Sequence, residues 1–182
     1  MLRIHRVITP RICHEPPRTP FRSQGRDLDT RAGPFHAFGW SARLAHAAEP
    51  GKFEITRTEA EWRKLLTPNQ YAVLREEGTE RPYTSPLNDE HREGRFACAG
   101  CALDAFSSKT KFDSKTGWPS FWQPLPNAVA QKVDTSAGMT RTEVHCRRCG
   151  GHLGHVFDDG PKPTGLRYCM NGLAMKFTPG AA

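Results

Sequence analysis

Six cysteines stand out among the residues whose types and spacing can do chemistry. Four of them form two pairs with two residues between the partners, and these are Cys98, Cys101, Cys146 and Cys149. A repeated pair at this spacing is typical of a site in which four thiolates bind one zinc ion. The two cysteines outside the pairs are Cys13 and Cys169. The paired cysteines are therefore candidate metal ligands. A cysteine outside the pairs is a candidate catalytic nucleophile, since thiolate is the nucleophilic form of cysteine.

The paired cysteines predict one structural Zn²⁺ ion. Each pair can place two sulfur atoms on one side of a tight turn, as tetrahedral zinc requires. Four thiolates leave no open coordination position, so the ion would stabilise the fold rather than react. The alternatives are two redox-active pairs or unpaired buried cysteines. The 44 residues between the pairs exceed the roughly 15–20 residues of a compact zinc ribbon, which predicts a structured segment between them.

Cys169 lies in a basic and polar setting. Arg167, two positions away, can favour the thiolate electrostatically, and nearby histidines can do so by hydrogen bonding. A buried and inert cysteine is the alternative that these residues leave open. The polar neighbours Arg167, Tyr168 and Asn171 favour a nucleophile.

Two histidines and one tryptophan are further candidates. His152 and His155 follow the second cysteine pair. Because four thiolates already complete a zinc site, we expect these histidines not to bind the metal and to be free for another role. Histidine is the side chain best suited to moving protons near neutral pH, although this glycine-rich stretch alone is typical of a polar turn. Trp118 lies in a Gly-Trp-Pro run that predicts a loop, where an indole can line an apolar slot or join the core.

Two short helices and a set of short strands must position these residues. Thr58 and Thr67 each precede an apolar stripe at helical spacing and have Glu or Gln three positions later, which predicts two capping boxes. After Gly94, segments typical of strands alternate with Gly, Pro, Asp and Asn. The predicted strands include residues 95–97, 105–106, 129–133, 141–145 and 173–177. We therefore predict a mainly β fold of antiparallel sheet with the helices at one end.

Residues 1–50 are predicted to be a poorly structured, Arg- and Pro-rich extension, and residues 51–182 the folded domain. Eight Arg and four acidic residues give the extension a charge of +4 (8 − 4). Segments of this composition bury too little apolar surface to offset chain entropy. The Arg-rich, acid-poor character also resembles an organelle transit peptide. The alternatives are a disordered extension or a start codon placed too early.

Charge and hydropathy limit the expected partners. Of the net charge of +7, the remaining +3 (7 − 4) is spread over residues 51–182, which argues against specific nucleic-acid binding. No apolar run approaches the roughly 18 residues of a membrane span, so we expect no membrane partner. The cysteine spacing favours metal over disulfides and therefore a reducing compartment. We predict a cytoplasmic monomer, or an organellar protein if residues 1–50 are a transit segment.

Four longer stretches complete a pattern with the two cysteine pairs. They cover residues 76–82, 117–121, 149–161 and 167–171. In this order they resemble the B-type methionine sulfoxide reductases, which are specific for the R epimer of methionine sulfoxide. The resemblance covers residues 53–177. It implies two antiparallel β-sheets with short peripheral N-terminal helices, a four-cysteine zinc site and a function in repairing oxidised proteins.

The resemblance implies a role for each candidate residue. Cys169 would attack the sulfoxide sulfur and become a sulfenic acid as methionine is released. Trp118 would line the pocket that holds the terminal methyl group of the substrate. Arg167 would help to poise the thiolate. The residues that would orient the substrate and assist proton delivery to its oxygen are His152, His155 and Asn171.

One position departs from the family pattern. Many relatives carry a resolving cysteine just before the Gly-Trp-Pro-Ser-Phe run, where this chain has Thr116. Because a threonine cannot form a disulfide with Cys169, another thiol must reduce the sulfenic acid. We expect thioredoxin or another external thiol reductant to do so. The alternative is that a flexible extension brings Cys13 to Cys169.

A zinc-ribbon-like module that binds nucleic acid or protein without catalysis is the competing function. The paired cysteines and the positive charge fit such a module. It has no need of Cys169, Trp118 or the two histidines, and these residues favour the reductase. We therefore predict an oxidoreductase that reduces the R epimer of methionine sulfoxide in oxidised proteins.

Overall fold

The computed structural model describes residues 53–182. This part of the chain begins with two helices, α1 (Glu59–Leu65) and α2 (Pro68–Glu76). The strands that follow are β1 (Gly94–Cys98), β2 (Asp104–Ser107), β3 (Lys111–Phe112), β4 (Ser120–Phe121), β5 (Val129–Asp134), β6 (Arg141–Cys146), β7 (His152–Phe157), β8 (Arg167–Met170) and β9 (Met175–Pro179). Short 3₁₀ helices cover Pro86–Asp89, Ser108–Thr110, Ser136–Gly138 and Gly172–Ala174.

Both predicted capping boxes are confirmed. The Thr58 hydroxyl accepts from the Glu61 N–H at 3.3 Å, and the Glu61 carboxylate accepts from the Thr58 N–H at 2.8 Å. Thr67 and Gln70 repeat this arrangement at 3.3 and 3.1 Å. Each box satisfies amide groups that a helix start leaves unpaired, which is why the short helices begin at these residues.

The strands form two antiparallel sheets, as predicted. The smaller sheet has the order β2-β1-β9, and the larger has the order β3-β4-β8-β7-β6-β5. Fully buried aromatic rings join the two sheets: Phe106 of β2 stacks on Phe121 of β4 with ring centroids 4.4 Å apart. Phe96 of β1 meets Phe121 edge to face at 5.0 Å. Burial of each such side chain contributes about 1.5–3 kcal/mol, so this contact is a major part of the core.

Two stretches differ from the sequence prediction. Residues 152–157, which alone are typical of a polar turn, form β7 because β6 and β8 pair with both of its edges. The strand predicted at residues 173–177 starts later, because the 3₁₀ helix Gly172–Ala174 precedes β9. The carboxylate of Glu80 accepts hydrogen bonds from the N–H groups of Gly172 and Leu173 and so holds the chain in this turn.

The predicted extension at residues 1–50 lies outside the described residues, and so does Cys13. Within residues 53–182, none of the helices has the length and apolar character needed to cross a bilayer. The following description of the site concerns this part of the chain.

Candidate active site

One face of the larger sheet carries a row of polar side chains. Residues that lie opposite each other in neighbouring antiparallel strands point to the same face, with Cβ atoms about 4.5–5.5 Å apart. From β4 to β5, the pairing aligns Ser120, Cys169, His155, Glu143 and Lys132. The row therefore sets the candidate nucleophile between a hydroxyl group and an imidazole ring.

Hydroxyl groups approach the Cys169 thiol from the loop before β4. Thr116 Oγ1 lies 3.8 Å from Cys169 Sγ, so the residue at the resolving-cysteine position contacts the candidate nucleophile. Ser114 Oγ lies 2.8 Å from Thr116 Oγ1 and 2.7 Å from Ser120 Oγ. Since Cys169 is partly buried, a hydroxyl that donates to its thiolate favours the charged form.

A β-bulge brings both histidines to this face. In a regular strand, residues three positions apart point to opposite sides, so His152 and His155 of β7 would diverge. The register between β6 and β7 shifts at Val144/His145, which pairs His155 with Glu143 and His152 with His145. Glu143 and His145 are two positions apart on β6, so they point to the same face. The two histidines that pair with them therefore also point to that face. The rings of His152 and His155 meet edge to face, with centroids 5.3 Å apart.

His152 is buried and held by a carboxylate. Its Nδ1 lies 2.8 Å from Glu143 Oε1, and Lys132 Nζ lies 2.9 Å from Glu143 Oε2. Burial raises the pKa of Glu143, but hydrogen bonds from His152 and Lys132 outweigh burial and bring this pKa to about 2. An ionised carboxylate only accepts, so His152 Nδ1 carries the hydrogen. His152 Nε2 is buried and has no hydrogen-bond partner among residues 53–182, and it can serve a ligand.

A second carboxylate orients His155. His155 Nε2 lies 2.8 Å from Asp134 Oδ2, which also accepts from Arg141 at 2.6 Å. Burial lowers the pKa of His155, although the hydrogen bond to Asp134 acts in the opposite direction. A lowered pKa makes the ring neutral near pH 7. His155 can therefore accept a proton from Cys169, its partner across the two strands.

Trp118 and Asn171 are held by the main chain of one residue, Glu80. The Trp118 indole Nε1 donates to the Glu80 carbonyl oxygen at 3.1 Å, and Asn171 Oδ1 accepts from the Glu80 N–H at 3.0 Å. Asn171 Nδ2 also donates to the Leu153 carbonyl oxygen at 3.2 Å. Asn171 is buried, whereas Trp118 is partly exposed on the loop that contains Thr116. The loop predicted for Trp118 is therefore present, and its indole is tied to the segment before β1.

The Arg167 guanidinium is held by Asp159 and Phe157. Its Nε and Nη2 donate to the two carboxylate oxygens of Asp159, each at 2.8 Å, and its Cζ lies 4.4 Å from the centroid of the Phe157 ring. The hydrogen bonds from Arg167 lower the pKa of Asp159. Arg167 and Cys169 are two positions apart on β8, so both face the same side of the sheet. A guanidinium group paired with the Asp159 carboxylate thus lies on the face of the candidate nucleophile.

The four paired cysteines converge where β1 and β6 end. Their sulfur atoms all lie within 4.8 Å of one another, with Cys98 3.7 Å from Cys149 and Cys101 3.4 Å from Cys146. A tetrahedral ion with metal–sulfur distances of about 2.3 Å needs sulfur atoms about 3.8 Å apart, so these residues could hold one metal ion. Cys98 ends β1 and Cys146 ends β6, which means that a bound ion would join the two sheets.

The charged partners of the histidines were missed from the sequence. They are Lys132, Asp134, Arg141 and Glu143. Their alternation with apolar residues along β5 and β6 is equally typical of the water-facing side of an antiparallel sheet, so nothing marked them as part of a site. Glu80 was also missed, because its partners lie 38 to 93 positions away in the sequence. Only the order of the strands could have revealed these contacts.

Comparison with known proteins identifies the family. The SelR domain matches residues 66–179. The peptide methionine sulfoxide reductase MsrB of Agrobacterium fabrum is 53% identical over 127 residues, which cover 69% of this chain and 94% of that protein. The MsrB of Leifsonia xyli is 54% identical over 134 residues, or 72% of this chain and 96% of that protein. The MsrB of Leptospira interrogans is 51% identical over 126 residues, or 69% and 96%. The chain therefore belongs to the SelR domain family, the B-type methionine sulfoxide reductases that its motifs resemble.

Proposed function

We propose that this chain is a peptide-methionine (R)-S-oxide reductase, an oxidoreductase that returns methionine sulfoxide in proteins to methionine. The observation that carries the proposal is the cross-strand row, which sets Cys169 opposite His155 and places His152 beside them. A thiol, a proton carrier and an apolar wall are what the reduction of a methyl sulfoxide needs. A binding module without catalysis is not favoured, because it has no use for two carboxylate-held imidazoles on the face of a thiol.

The first step transfers oxygen from the substrate to Cys169. The thiol gives its proton to neutral His155, and the thiolate attacks the sulfoxide sulfur. A bond forms between the Cys169 sulfur and the substrate sulfur as the S–O bond of the substrate breaks. The released hydroxide then bonds to the Cys169 sulfur, and the S–S bond breaks with its electron pair staying on the substrate sulfur. The products are methionine and a Cys169 sulfenic acid, so two electrons pass from the cysteine sulfur to the substrate sulfur. This step consumes no further reductant.

His152 supplies the proton that the sulfoxide oxygen needs. Its Nε2 has no partner among the described residues, and Glu143 accepts from Nδ1 on the other side of the ring. Protonated Nε2 donates to the substrate oxygen, which leaves more easily as hydroxide than as oxide. The remaining N–H of the Asn171 amide adds a second donor on the same side.

Trp118 and the imidazoles together select one epimer. The indole face gives the substrate methyl group the aromatic contact that thioethers prefer. The sulfoxide sulfur is chiral, so a methyl slot on one side and proton donors on the other accept the R epimer and reject the S epimer. Arg167 contributes its positive charge, which favours the thiolate form of Cys169.

One structural Zn²⁺ ion is the metal that fits the four cysteines. Soft thiolate ligands at tetrahedral spacing favour zinc, and four protein ligands leave no position for a substrate. Arg75 donates to the Cys149 carbonyl oxygen at 3.0 Å and Arg148 to the Cys101 carbonyl oxygen at 3.3 Å. These two positive charges lie beside a cluster that is anionic when metal is bound, and they support its retention.

An external thiol reductant completes the cycle. Two reductant thiols and the sulfenic acid give a Cys169 thiol, a reductant disulfide and water. Thioredoxin is the reductant that we propose, because Thr116 lies against Cys169 where a resolving cysteine would have to be. We further propose that the enzyme acts as a monomer in the cytoplasm, where metal-binding thiolates stay reduced.

The proposal is tested with racemic dabsyl-methionine sulfoxide and dithiothreitol. We expect the metal-replete wild-type protein to consume half of the substrate, the R epimer, and then stop. Cys169→Ser, which keeps the fold and the four-cysteine site, should consume none. No consumption by the folded wild type, or consumption of the S epimer, would show that the proposed function is wrong.

A further inference from the structure

Glu80 is a buried acid that none of the proposed steps uses. It is 7% exposed and lies in the segment between α2 and β1. Both of its carboxylate oxygens accept main-chain hydrogen bonds, from the Gly172 N–H at 2.6 Å and from the Leu173 N–H at 2.9 Å. These two amides begin the 3₁₀ helix that follows the strand of Cys169. The side chain of Glu80 is therefore anchored next to the nucleophile strand.

The main chain of Glu80 holds the two side chains proposed to contact the substrate. Its carbonyl oxygen accepts from the Trp118 indole at 3.1 Å, and its N–H donates to the Asn171 amide oxygen at 3.0 Å. Glu80 thus holds the Trp118 indole, the Asn171 side chain and the turn after Cys169. A shift of its peptide group would move all of these contacts together.

The surroundings of Glu80 leave little room for such a shift. A Cβ on Gly172 would lie 1.8 Å from Ser85 Oγ and 3.3 Å from Glu80 Oε1, so Glu80 and Ser85 both pack directly on a residue without a side chain. Burying a carboxylate costs free energy unless hydrogen bonds compensate for the lost water. An apolar residue would fill this space without that cost. A carboxylate at this buried position has a clear purpose if it holds the N–H groups of Gly172 and Leu173 in place.

We propose that Glu80 is a positioning residue that sets Trp118 and Asn171 relative to Cys169. This inference rests on the proposed function, because it concerns the fit of the methyl sulfoxide substrate. Glu80 acts through the two side chains and does not touch the substrate. Its loss therefore weakens substrate binding and leaves the intrinsic reactivity of the thiol unchanged.

The test compares Glu80→Gln with the matched control Glu76→Gln. The amide side chain keeps its size but replaces one acceptor oxygen with an NH₂ group that cannot accept from Gly172 or Leu173. Glu76 is an exposed glutamate of α2 that pairs with Arg63. Three quantities are measured on the full-length, metal-replete proteins. They are kcat/KM for methionine-R-sulfoxide, the rate of Cys169 alkylation by iodoacetamide, and the ¹⁵N–¹H spectrum of the tryptophan indoles.

For Glu80→Gln we expect kcat/KM to fall about tenfold, mainly through a higher KM, as is typical when a group that orients a site residue is lost. The alkylation rate should stay at the wild-type value, because iodoacetamide needs neither Trp118 nor Asn171. The indole resonance of Trp118, assigned with Trp118→Phe, should move while that of Trp62 stays in place. Glu76→Gln should match the wild type in all three measurements.

A wild-type kcat/KM for Glu80→Gln with an unmoved Trp118 resonance overturns the inference. Equal losses in kcat/KM and in the alkylation rate also overturn it. They would mean that Glu80 supports the strand that carries Cys169 rather than the position of Trp118 and Asn171. If the wild type itself does not reduce the substrate, the proposed function fails, and the Trp118 resonance still decides whether Glu80 holds the indole. If Glu80→Gln does not fold, Glu80→Asp, with acceptor oxygens one methylene further away, is judged by the same outcomes.

Discussion

At the scale of single residues, two carboxylates give the histidines different properties. Glu143 accepts from His152 Nδ1, and Asp134 accepts from His155 Nε2. Each carboxylate therefore decides which ring nitrogen remains for chemistry. His152 keeps a buried Nε2, and His155, the cross-strand partner of Cys169, keeps Nδ1. These two hydrogen bonds fix the nitrogen that each ring would use in its proposed role, His152 as proton donor and His155 as proton acceptor.

Thr116→Cys should convert the enzyme to one that resolves its own sulfenic acid. The Thr116 hydroxyl lies 3.8 Å from Cys169 Sγ, which is close enough for a cysteine at this position to attack an oxidised Cys169 after a small adjustment. One equivalent of substrate without reductant should leave a disulfide between the two residues, detected by peptide mapping and the loss of two titratable thiols. Thr116→Ser, which adds no thiol, is the control. Persistence of the sulfenic acid in Thr116→Cys would contradict the proposed placement of position 116.

Glu143 should make stability depend on pH in the acid range. Its pKa is about 2 in the folded protein against 4.5 for the ordinary group, so protonation favours the unfolded chain. The contribution is complete above about pH 4.5, corresponds to roughly 3 kcal/mol at most, and is lost as the pH falls towards 2. Glu143→Gln lacks this titration, so its urea midpoint should fall less than that of the wild type between pH 7 and pH 3. Parallel losses in the two proteins would contradict an ionised Glu143 carboxylate in the folded protein.

At the scale of secondary structure, contacts within a short stretch could be predicted and contacts across strands could not. The capping boxes at Thr58 and Thr67 and the two cysteine pairs depend on residues three positions apart, and the structure confirms them. The bulge at Val144/His145 depends on how β6 and β7 pair. No local pattern marks it, although it decides that both histidines face the nucleophile.

The same distinction explains the missed residue Glu80. Its carboxylate turns the chain at Gly172–Ala174, where the local sequence is typical of a strand. A tertiary hydrogen bond overrides the strand preference there. The sequence motif around Glu80 indicated a family feature, while the contacts that explain it are visible only in the fold.

Cys98→Ser should release the metal and unfold the domain. A four-cysteine zinc site contributes about 10–16 kcal/mol of apparent folding free energy in small domains, and an ion bound here would join β1 to β6. We expect a metal content near zero and the loss of the cooperative thermal transition. Cys169→Ser, outside the cluster, should retain both the metal and the transition. A metal-free Cys98→Ser protein with wild-type thermal stability would contradict a structural role.

At the scale of the whole molecule, the proposed nucleophile and the candidate metal ligands are different cysteines in one domain. The paired cysteines lie together where β1 of one sheet and β6 of the other end, while Cys169 lies in the centre of the larger sheet with β4 and β7 on its two sides. The sequence predicted this separation because thiol spacing is a local property. The role of the first fifty residues stays a prediction, since they lie outside the described part of the chain.

Cys13→Ser should leave turnover with thioredoxin unchanged. We propose that an external thiol reduces the Cys169 sulfenic acid directly, so the thiol in the predicted extension is not needed. Steady-state rates with thioredoxin, thioredoxin reductase and NADPH check this expectation. A large loss of turnover in Cys13→Ser, with the first turnover intact, would show that Cys13 resolves the intermediate instead.

The central claim is that Cys169 removes the sulfoxide oxygen, and a single turnover without reductant tests it most directly. The pre-reduced protein is mixed with excess methionine-R-sulfoxide and dimedone, which traps sulfenic acids. We predict about one methionine released per protein and dimedone attached to Cys169, with neither product in Cys169→Ser. Methionine formation by Cys169→Ser, or a trapped sulfenic acid on a cysteine other than Cys169, would contradict the proposed mechanism.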